Sequence, residues 1–201
     1  MHNCSSLLLA VFIVVVVISG GCTSPAPSSF GSPSPSPPVN QQVVSTVPPE
    51  MLMIRAASLS PGSVLPDVYT CKGASESPEV AWSGVPNSTK SLVLILDDPD
   101  APNGRFTHWI LFNIPPDSHG FSRAQPNTKV LANGAQQGQN SGGSRSYYPP
   151  CPPIGTTHRY VFRLYAVDMD ISQPTADRES IDWALTGHTI AAAEFTTKFK
   201  R

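Results

Sequence analysis

A proline-rich loop that leads directly into a strand is the feature of this sequence that most constrains its fold. Residues 146–164 read Ser-Tyr-Tyr-Pro-Pro-Cys-Pro-Pro-Ile-Gly-Thr-Thr-His-Arg-Tyr-Val-Phe-Arg-Leu. The four prolines lack an amide N–H and fix φ, so the first half can join neither a helix nor a strand ladder. The half from 159 to 167 is rich in β-branched and aromatic residues and predicts a strand.

Alternation along this strand places His158 and Tyr160 on one face, followed by Phe162, Leu164 and Ala166. Polar groups at the end of a strand, beside a stiff loop, are typical of a binding pocket. A His-x-Tyr pair is equally compatible with ordinary packing or surface exposure. A second polar cluster is needed to decide between these interpretations.

Composition excludes some classes of function. The chain has 201 residues, 40% of them hydrophobic, with 13 Lys and Arg against 14 Asp and Glu, which suits one globular domain with appendages. This near-neutral charge argues against a broad surface that binds nucleic acid or an anionic membrane, so no nucleic-acid partner is expected. Only 13% of residues are charged while prolines number 22, so loops and a disordered segment are expected.

The N-terminus predicts a targeting segment. The apolar run from Leu7 to Ile18 is shorter than the roughly 20 residues of a membrane span and suits the hydrophobic region of a secretory signal. Three small residues and Cys22 follow it, so residues 1–21 are predicted to be a signal peptide or membrane segment and Cys22 a lipidation site. An uncleaved anchor and simple secretion are the alternatives. All three predict an extracytoplasmic domain, either membrane-anchored or secreted.

Residues 22–49 predict a disordered linker behind the lipidated cysteine. The segment is rich in Pro, Ser, Gly, Asn and Gln and includes Ser-Pro-Ser-Pro-Ser-Pro-Pro at 32–38. Such a composition buries too little apolar surface to offset its ordering entropy. At about 3.1 Å per residue it could hold the domain up to roughly 80 Å from a membrane. Residues 50–201 are left as the folded domain.

The folded domain is predicted to be mainly β. The predicted strands are Met51–Ala57, Val68–Thr70, Lys90–Leu96, Thr107–Ile114, Arg159–Val167 and a tail in which Ala191, Ala193, Phe195 and Phe199 face inward. The apolar run in Lys90–Leu96 predicts burial on both faces. Residues 117–146 are polar and predict a long surface loop.

One short helix is predicted between the last two strands. Pro174 and Thr175 could begin it, and Gly187 stands where a glycine would end it. Its buried stripe would be Ile181, Ala184 and Leu185. The predicted fold is an antiparallel β-sandwich of two sheets with one or two short helices.

The second polar cluster follows the buried strand. Asp98 precedes a proline, which forces it into an extended conformation at the strand end. His108 lies near the start of the next strand, where alternation predicts that it shares a face with Ile110 and Phe112. The short separation lets a turn bring Asp98 and His108 to the same end of adjacent strands. Asp-Pro-Asp is also an ordinary turn sequence.

Together these segments resemble the phosphatidylethanolamine-binding protein family, particularly its bacterial and archaeal Raf kinase inhibitor-like branch. The resemblance covers nearly all of 54–201. The motifs that carry it are Asp98-Pro-Asp-Ala-Pro102, His108-Trp109, Pro150-Cys-Pro-Pro153, His158-Arg-Tyr-Val-Phe162, Tyr69-Thr-Cys-Lys-Gly73, Ser77-Pro78, Ala81-Trp-Ser-Gly-Val-Pro86, Asn113-Ile-Pro115 and Gly187-His188.

The resemblance implies a β-sandwich with a small anion pocket that accepts phosphate, phosphoethanolamine or acetate-like groups. By motif, the ligand-binding residues are Asp98, His108, His158, Tyr160 and the backbone N–H of Cys151. Imidazole and phenol groups can donate hydrogen bonds to phosphate oxygens, while Asp98 would orient an imidazole or meet an ammonium group.

The function implied is non-enzymatic binding of a phosphate-like group. No cofactor is expected, and zinc binding by two histidines and an aspartate is a minor alternative, because no ligand pair has close helical or Cys-x-x-Cys spacing. The ligand would be phosphoethanolamine, a phospholipid headgroup or a phosphorylated molecule. Alternatives are a protein inhibitor of a kinase or serine protease, and a histidine-dependent hydrolase. Against the hydrolase, the sequence has no Gly-x-Ser-x-Gly elbow and no nucleophile beside the histidines.

Three further residues have expected roles within this resemblance. Cys71 and Cys151 would form a disulfide in an oxidising compartment or remain two separate buried thiols. Arg159 is expected to be structural and paired with a carboxylate.

Overall fold

The computed structural model describes residues 51–56, 58–173 and 175–201. Its strands are β1 (Met53–Ala56), β2 (Val80–Ser83), β3 (Ser91–Asp98), β4 (Phe106–Ile114), β5 (Gly120–Phe121), β6 (Gln136–Gln137), β7 (Thr157–Val167) and β8 (Thr189–Lys200). Between the last two strands lies the helix α1 (Arg178–Leu185). The predicted signal segment, Cys22 and the linker lie outside the described residues. Within the described residues, no helix has the length and apolar character needed to cross a membrane.

The strands form two antiparallel sheets, as the sequence predicted. One sheet has the order β1-β2-β5 and the other β6-β4-β3-β7-β8. The main hydrophobic core combines side chains of both sheets, including Ile54 and Trp82 from the small one with Leu94 and Phe162 from the large one. The burial of these apolar faces against each other is what holds a sandwich together.

The central strand β3 is buried on both faces, which confirms the prediction from its apolar run. Leu92, Leu94 and Leu96 join the main core. Val93 and Ile95 point the other way, into a second core that includes the buried stripe of α1. Successive side chains of a strand point to opposite faces, and both faces of β3 pack against apolar residues. This is why no polar residue interrupts the run.

Helix α1 has the predicted buried stripe of Ile181, Ala184 and Leu185. Its N-cap is Asp177, whose Oδ1 accepts a 2.9 Å hydrogen bond from the Ser180 amide, so the helix begins later than Pro174 or Thr175. Gly187 follows the C-cap residue Thr186 and has a φ of 80°. This left-handed conformation is the reason for a glycine there.

Two predicted elements differ from the structure, and one strand was not predicted. The predicted strand Val68–Thr70 is instead a 3-10 helix over Asp67–Tyr69, because the Tyr69 amide bonds locally to the Pro66 carbonyl at 3.0 Å. The predicted loop 117–146 contains the two-residue strands β5 and β6. Strand β2 was not predicted, although it pairs with both β1 and β5.

Antiparallel pairing brings the polar clusters together at one end of the central strands of the large sheet. Strand β3 lies between β4 and β7, and its last residues lie beside the N-terminal part of each neighbour. Asp98 pairs with Phe106, and Asp97 pairs with Val161. The end of β3 therefore lies between His108 on one side and His158 on the other.

A β-bulge in β4 turns His108 away from the face that alternation predicted. Leu96 pairs with Trp109 but Asp97 pairs with Thr107, so His108 is an extra residue on β4. Ile110 and Phe112 pack in the second core, whereas the His108 ring contacts Tyr160 on the main-core side. The predicted shared face was therefore wrong, because a bulge breaks the period of two and redirects one side chain.

Candidate functional site

A cavity of about 330 Å³ opens at this end of the central strands. It is lined by Asp98, Ala101, Pro102, Phe106, His108, Tyr148, Cys151, Pro152, Pro153 and His158. The structure thus brings together Asp98, His108, Cys151 and His158, which come from separate segments of the sequence. Among the predicted site residues, Tyr160 does not lie on the cavity wall.

Asp98 holds His158 in place. Its Oδ2 accepts a 2.7 Å hydrogen bond from His158 Nδ1, and its Oδ1 accepts one of 2.9 Å from the Asp100 amide. The side chains of His158 and Asp98 are only 7% and 5% exposed. Both carboxylate oxygens of Asp98 are therefore engaged, and one of them orients the His158 imidazole. The Nε2 atom of His158 has no hydrogen bond to the described residues.

His108 is fixed by the proline-rich loop. Its Nδ1 lies 2.8 Å from the carbonyl oxygen of Tyr148, and the Tyr148 amide donates to the His108 carbonyl at 2.9 Å. A carbonyl only accepts, so Nδ1 must carry the hydrogen. Burial lowers the pKa of His108, which favours the neutral ring at neutral pH. Its Nε2 then carries a lone pair.

Tyr160 lies behind His108 and is fully buried. The two rings meet edge to face, with 5.4 Å between their centroids. The phenol hydroxyl has no hydrogen-bond partner at ordinary distance in the described part of the chain. Burial raises the pKa of Tyr160, and the negative charge of Asp98 raises it further, so the phenol stays protonated. Tyr160 supports the histidine from behind.

A disulfide between Cys71 and Cys151 anchors the proline-rich loop, which confirms the first of the two alternatives for these cysteines. The Cys71 amide also donates to the Pro150 carbonyl at 3.1 Å. The amide of Cys151 makes no hydrogen bond with the described residues, so it can face a ligand. The stiff loop is thus held at the disulfide and, through Tyr148, at strand β4.

The Asp98–Pro102 turn is clamped to the start of β7 by an ion pair. Arg159 donates from Nε and Nη2 to the Asp100 carboxylate at 2.9 and 2.7 Å, and its amide donates at 2.8 Å. These hydrogen bonds lower the pKa of Asp100 to about 2. The expected pairing of Arg159 with a carboxylate is confirmed, and the partner is Asp100.

Two aromatic side chains in the cavity wall were missed from the sequence. Phe106 and Tyr148 pack together with 5.2 Å between ring centroids. Phe106 lies at the start of β4, beside Asp98 in the pairing register. Tyr148 directly precedes the prolines. Their positions flanking the predicted site residues were the available signal.

A buried charge cluster on the opposite face of β3 was also missed. Asp97 is fully buried and accepts hydrogen bonds from Thr107 at 2.7 Å, Arg163 at 3.2 Å and Arg178 at 3.2 Å. Arg178 belongs to α1, so these contacts join the helix to the sheet. They face away from the cavity and have a structural role.

The cavity suits binding through hydrogen bonds. None of its lining residues is a serine, a threonine or a free cysteine. Across residues 51–56, 58–173 and 175–201, no three His, Cys, Asp or Glu side chains are grouped so as to hold a metal ion. His108, His158 and Cys151 line this cavity together with aromatic residues and prolines, and the two Nε2 atoms and the Cys151 amide have no hydrogen-bond partner among the described residues.

Comparisons with known proteins agree with this architecture. The chain is 46% identical to a UPF0098 protein of Methanothermobacter thermautotrophicus over 68% of this chain and 91% of that protein. It is 36% identical to the Mycobacterium tuberculosis protein named "Putative lipoprotein LppC", over 81% of this chain and 79% of that protein. The crystal structure of Escherichia coli YbcL, described as a member of the mammalian PEBP family, has a TM-score of 0.69 at 28% identity and covers 75% of this chain and 98% of YbcL.

The family profile described as phosphatidylethanolamine-binding protein matches residues 55–200, which is most of the chain and all of the cavity. The structural likeness to YbcL extends over the same domain. This chain therefore belongs to the phosphatidylethanolamine-binding protein family.

Proposed function

We propose that this protein binds a phosphate-like anionic group without catalysing a reaction. The group would belong to phosphoethanolamine, a phospholipid headgroup or a phosphorylated ligand. The observation that carries the proposal is the arrangement of His108 and His158. Both rings line the cavity, and in each the protein occupies Nδ1, through Tyr148 or Asp98, while Nε2 has no hydrogen-bond partner among the described residues.

The chemistry of these groups fits an anion. The Cys151 amide can donate to one oxygen of an anion, and His158, whose Nδ1 is held by Asp98, can present its Nε2 to a second. Hydrogen bonds to a charged group are about twice as strong as neutral ones. Because the histidines are almost fully buried, water competes weakly for these bonds.

The non-catalytic part of the proposal rests on the lining residues. Covalent catalysis needs a nucleophile within hydrogen-bond reach of a base. His158 Nδ1 is held by Asp98, and the residues that line the cavity include no serine, threonine or free cysteine.

We further propose that the domain is extracytoplasmic and tethered through lipidated Cys22. The short apolar run, the Cys71–Cys151 disulfide and the name of the Mycobacterium tuberculosis relative support this location. Expression with a radiolabelled fatty acid tests it. The wild-type chain should be labelled and a Cys22→Ala variant should not. Equal labelling of both would refute lipidation at Cys22.

Titration of the full chain with inorganic phosphate and with phosphoethanolamine tests the binding proposal. Saturable NMR shifts are expected at the ¹⁵N-labelled rings of His108 and His158. His108→Ala and His158→Ala should weaken binding, whereas His119→Ala, which alters an exposed histidine outside the cavity, should not. If neither ring responds to either compound, the anion site is refuted.

A further inference from the structure

The turn between β2 and β3 presents an asparagine that the fold does not use. Asn87 and Ser88 are the two central residues of this turn, which the Thr89 amide closes by donating to the Pro86 carbonyl at 3.0 Å. Asn87 is exposed, and its side-chain amide makes no hydrogen bond with the described residues. The side-chain amides of other asparagines, such as Asn113, donate to backbone carbonyls and hold loops in place.

The residues around Asn87 form an acceptor site for an N-linked oligosaccharide. Asn87-Ser88-Thr89 has the pattern Asn-x-Ser/Thr, in which x is not proline. Among the asparagines that the structure describes, Asn87 alone has a serine or a threonine two positions later. The pattern is short, so its structural context matters: in a secreted protein an acceptor asparagine belongs on a surface loop. The exposed turn before β3 provides that context.

We propose that Asn87 carries an N-linked oligosaccharide. This inference goes beyond anion binding and rests on the proposed extracytoplasmic location, because N-linked glycans are added to exported chains. The donor is an oligosaccharide linked through a phosphate or pyrophosphate to a polyprenyl lipid. Asn87 Nδ2 forms a bond to the anomeric carbon, the bond between that carbon and the phosphate oxygen breaks, and the lipid phosphate leaves with the electron pair. The amide gives up one proton, and nothing is oxidised or reduced.

Thr89 indicates when the transfer takes place. The acceptor pattern requires the hydroxyl of this residue. In the folded domain Thr89 is only 8% exposed, and its Oγ1 is buried without a hydrogen-bond partner among the described residues. A transferase can therefore reach this hydroxyl only before the turn folds against the sheet. The glycan is added during export and stays on the surface afterwards, because Asn87 remains exposed.

The glycan lies at the opposite end of β3 from the cavity. Asn87 precedes the first residue of β3, Ser91, whereas the last residue, Asp98, lines the cavity. A strand of 8 residues separates its two ends by about 24 Å. A glycan on Asn87 should therefore leave the affinity for phosphoethanolamine unchanged.

Mass spectrometry of the full chain, isolated from the cells that naturally produce it, tests the proposal. The peptide that contains Asn87 should carry the added mass of an oligosaccharide. Asn87→Gln and Thr89→Ala should lose this mass, whereas Ser88→Ala and Thr89→Ser keep the acceptor pattern and should retain it. Asn103→Gln changes an exposed asparagine outside the pattern and should also retain it. Because the Thr89 hydroxyl has no partner, Thr89→Ala should unfold at nearly the same urea concentration as unglycosylated Asn87→Gln.

The order of transfer and folding has its own test. Chain synthesised in the presence of membranes from those cells should be glycosylated. Chain that is synthesised without membranes and allowed to fold should accept no glycan when the membranes are added later. Equal modification in both cases would show that the buried Thr89 hydroxyl does not limit the transfer.

Digestion of intact cells with an added protease separates this inference from the proposed location. If the domain is digested and Asn87 is unmodified, the glycan is refuted while the extracytoplasmic location stands. If the domain is protected inside the cell and Asn87 is unmodified, both proposals are refuted. A glycan that persists on Thr89→Ala would refute the assignment to this acceptor pattern.

Discussion

At the scale of single residues, the histidines of this chain differ in the group to which each is hydrogen-bonded. Three histidines of the described chain bond through Nδ1, but His108 faces a carbonyl, whereas His158 and His188 each face a carboxylate. The carboxylate pair His158–Asp98 is buried, while His188–Asp168 is 47% and 54% exposed. The buried pair belongs to the candidate site, and the exposed pair provides a control for substitutions in it.

Replacement of Asp98 by Asn should weaken phosphate binding by about tenfold or more, because His158 loses its orienting counter-ion and charge-assisted hydrogen bonds contribute about 1.5–3 kcal/mol. NMR titration of the folded variant measures the change. Asp168→Asn removes the carboxylate of the exposed pair and should not affect binding. Unchanged affinity in Asp98→Asn would contradict the role assigned to this carboxylate.

The ion pair of Asp100 and Arg159 predicts a pH dependence. The folded pKa of Asp100 is about 2, below the value of about 3.9 in an unfolded chain. The stabilisation it adds is therefore present above about pH 4 and is lost as the pH falls toward 2. Carboxyl ¹³C NMR titration of Arg159→Gln should show the Asp100 pKa rising toward 3.9.

The matched control is Arg123→Gln, which breaks the surface pair with Glu76 (2.8 Å) and should leave the Asp100 titration unchanged. An Asp100 pKa that stays near 2 without Arg159 would show that another group holds it down.

At the scale of elements, the site depends on how one loop is attached to the sheet. The proline-rich loop has few amides with which to join a ladder, so it is held by Tyr148, which bonds to His108, and by the disulfide at Cys151. The bulge in β4 directs His108 toward that loop. Loop, bulge and disulfide together define the cavity wall.

Removal of the disulfide should destabilise the fold. Cys71 and Cys151 are 80 residues apart, and a cross-link of this length restricts the unfolded chain strongly. The double variant Cys71→Ser, Cys151→Ser should lower the free energy of unfolding by about 2–4 kcal/mol, measured by urea denaturation. Wild-type protein kept in reductant should behave like the variant. A midpoint equal to that of oxidised wild type would contradict this prediction.

At the scale of the whole molecule, β3 contributes side chains to both hydrophobic cores and places one carboxylate on each of its faces. Its Asp98 points toward the cavity, and its Asp97 points toward Arg178 of α1. The adjacent carboxylates thus have separate functions, because successive side chains of a strand leave on opposite faces. One contributes to the site and the other joins the helix to the sheet.

Replacement of Asp97 by Asn should lower the free energy of unfolding by about 3–5 kcal/mol, since it leaves the largely buried Arg178 without its buried counter-ion. Thermal or urea unfolding measures the loss. Asp182→Asn removes the exposed partner of the same arginine and should cost less than about 1 kcal/mol. Similar losses in both variants would contradict the assignment of Asp97 as the buried anchor.

Much of this architecture could be predicted from local patterns. The apolar run of β3, the stripe of α1 and the alternation in β8 follow directly from side-chain spacing, because burial requires those periods. Motifs that resemble a known family predicted one site made of Asp98, His108, Cys151 and His158. The structure brings these four residues to one cavity.

What the sequence by itself determined was the layered β architecture and the kinds of side chain at the site. Only the tertiary structure decided how His108 points, that Tyr160 lies behind it, and which partner each imidazole has. The physical reason is that hydrophobic periodicity is a local property of each strand. A bulge, a disulfide or a hydrogen bond to a distant carbonyl depends instead on the register between segments that meet only in the folded chain.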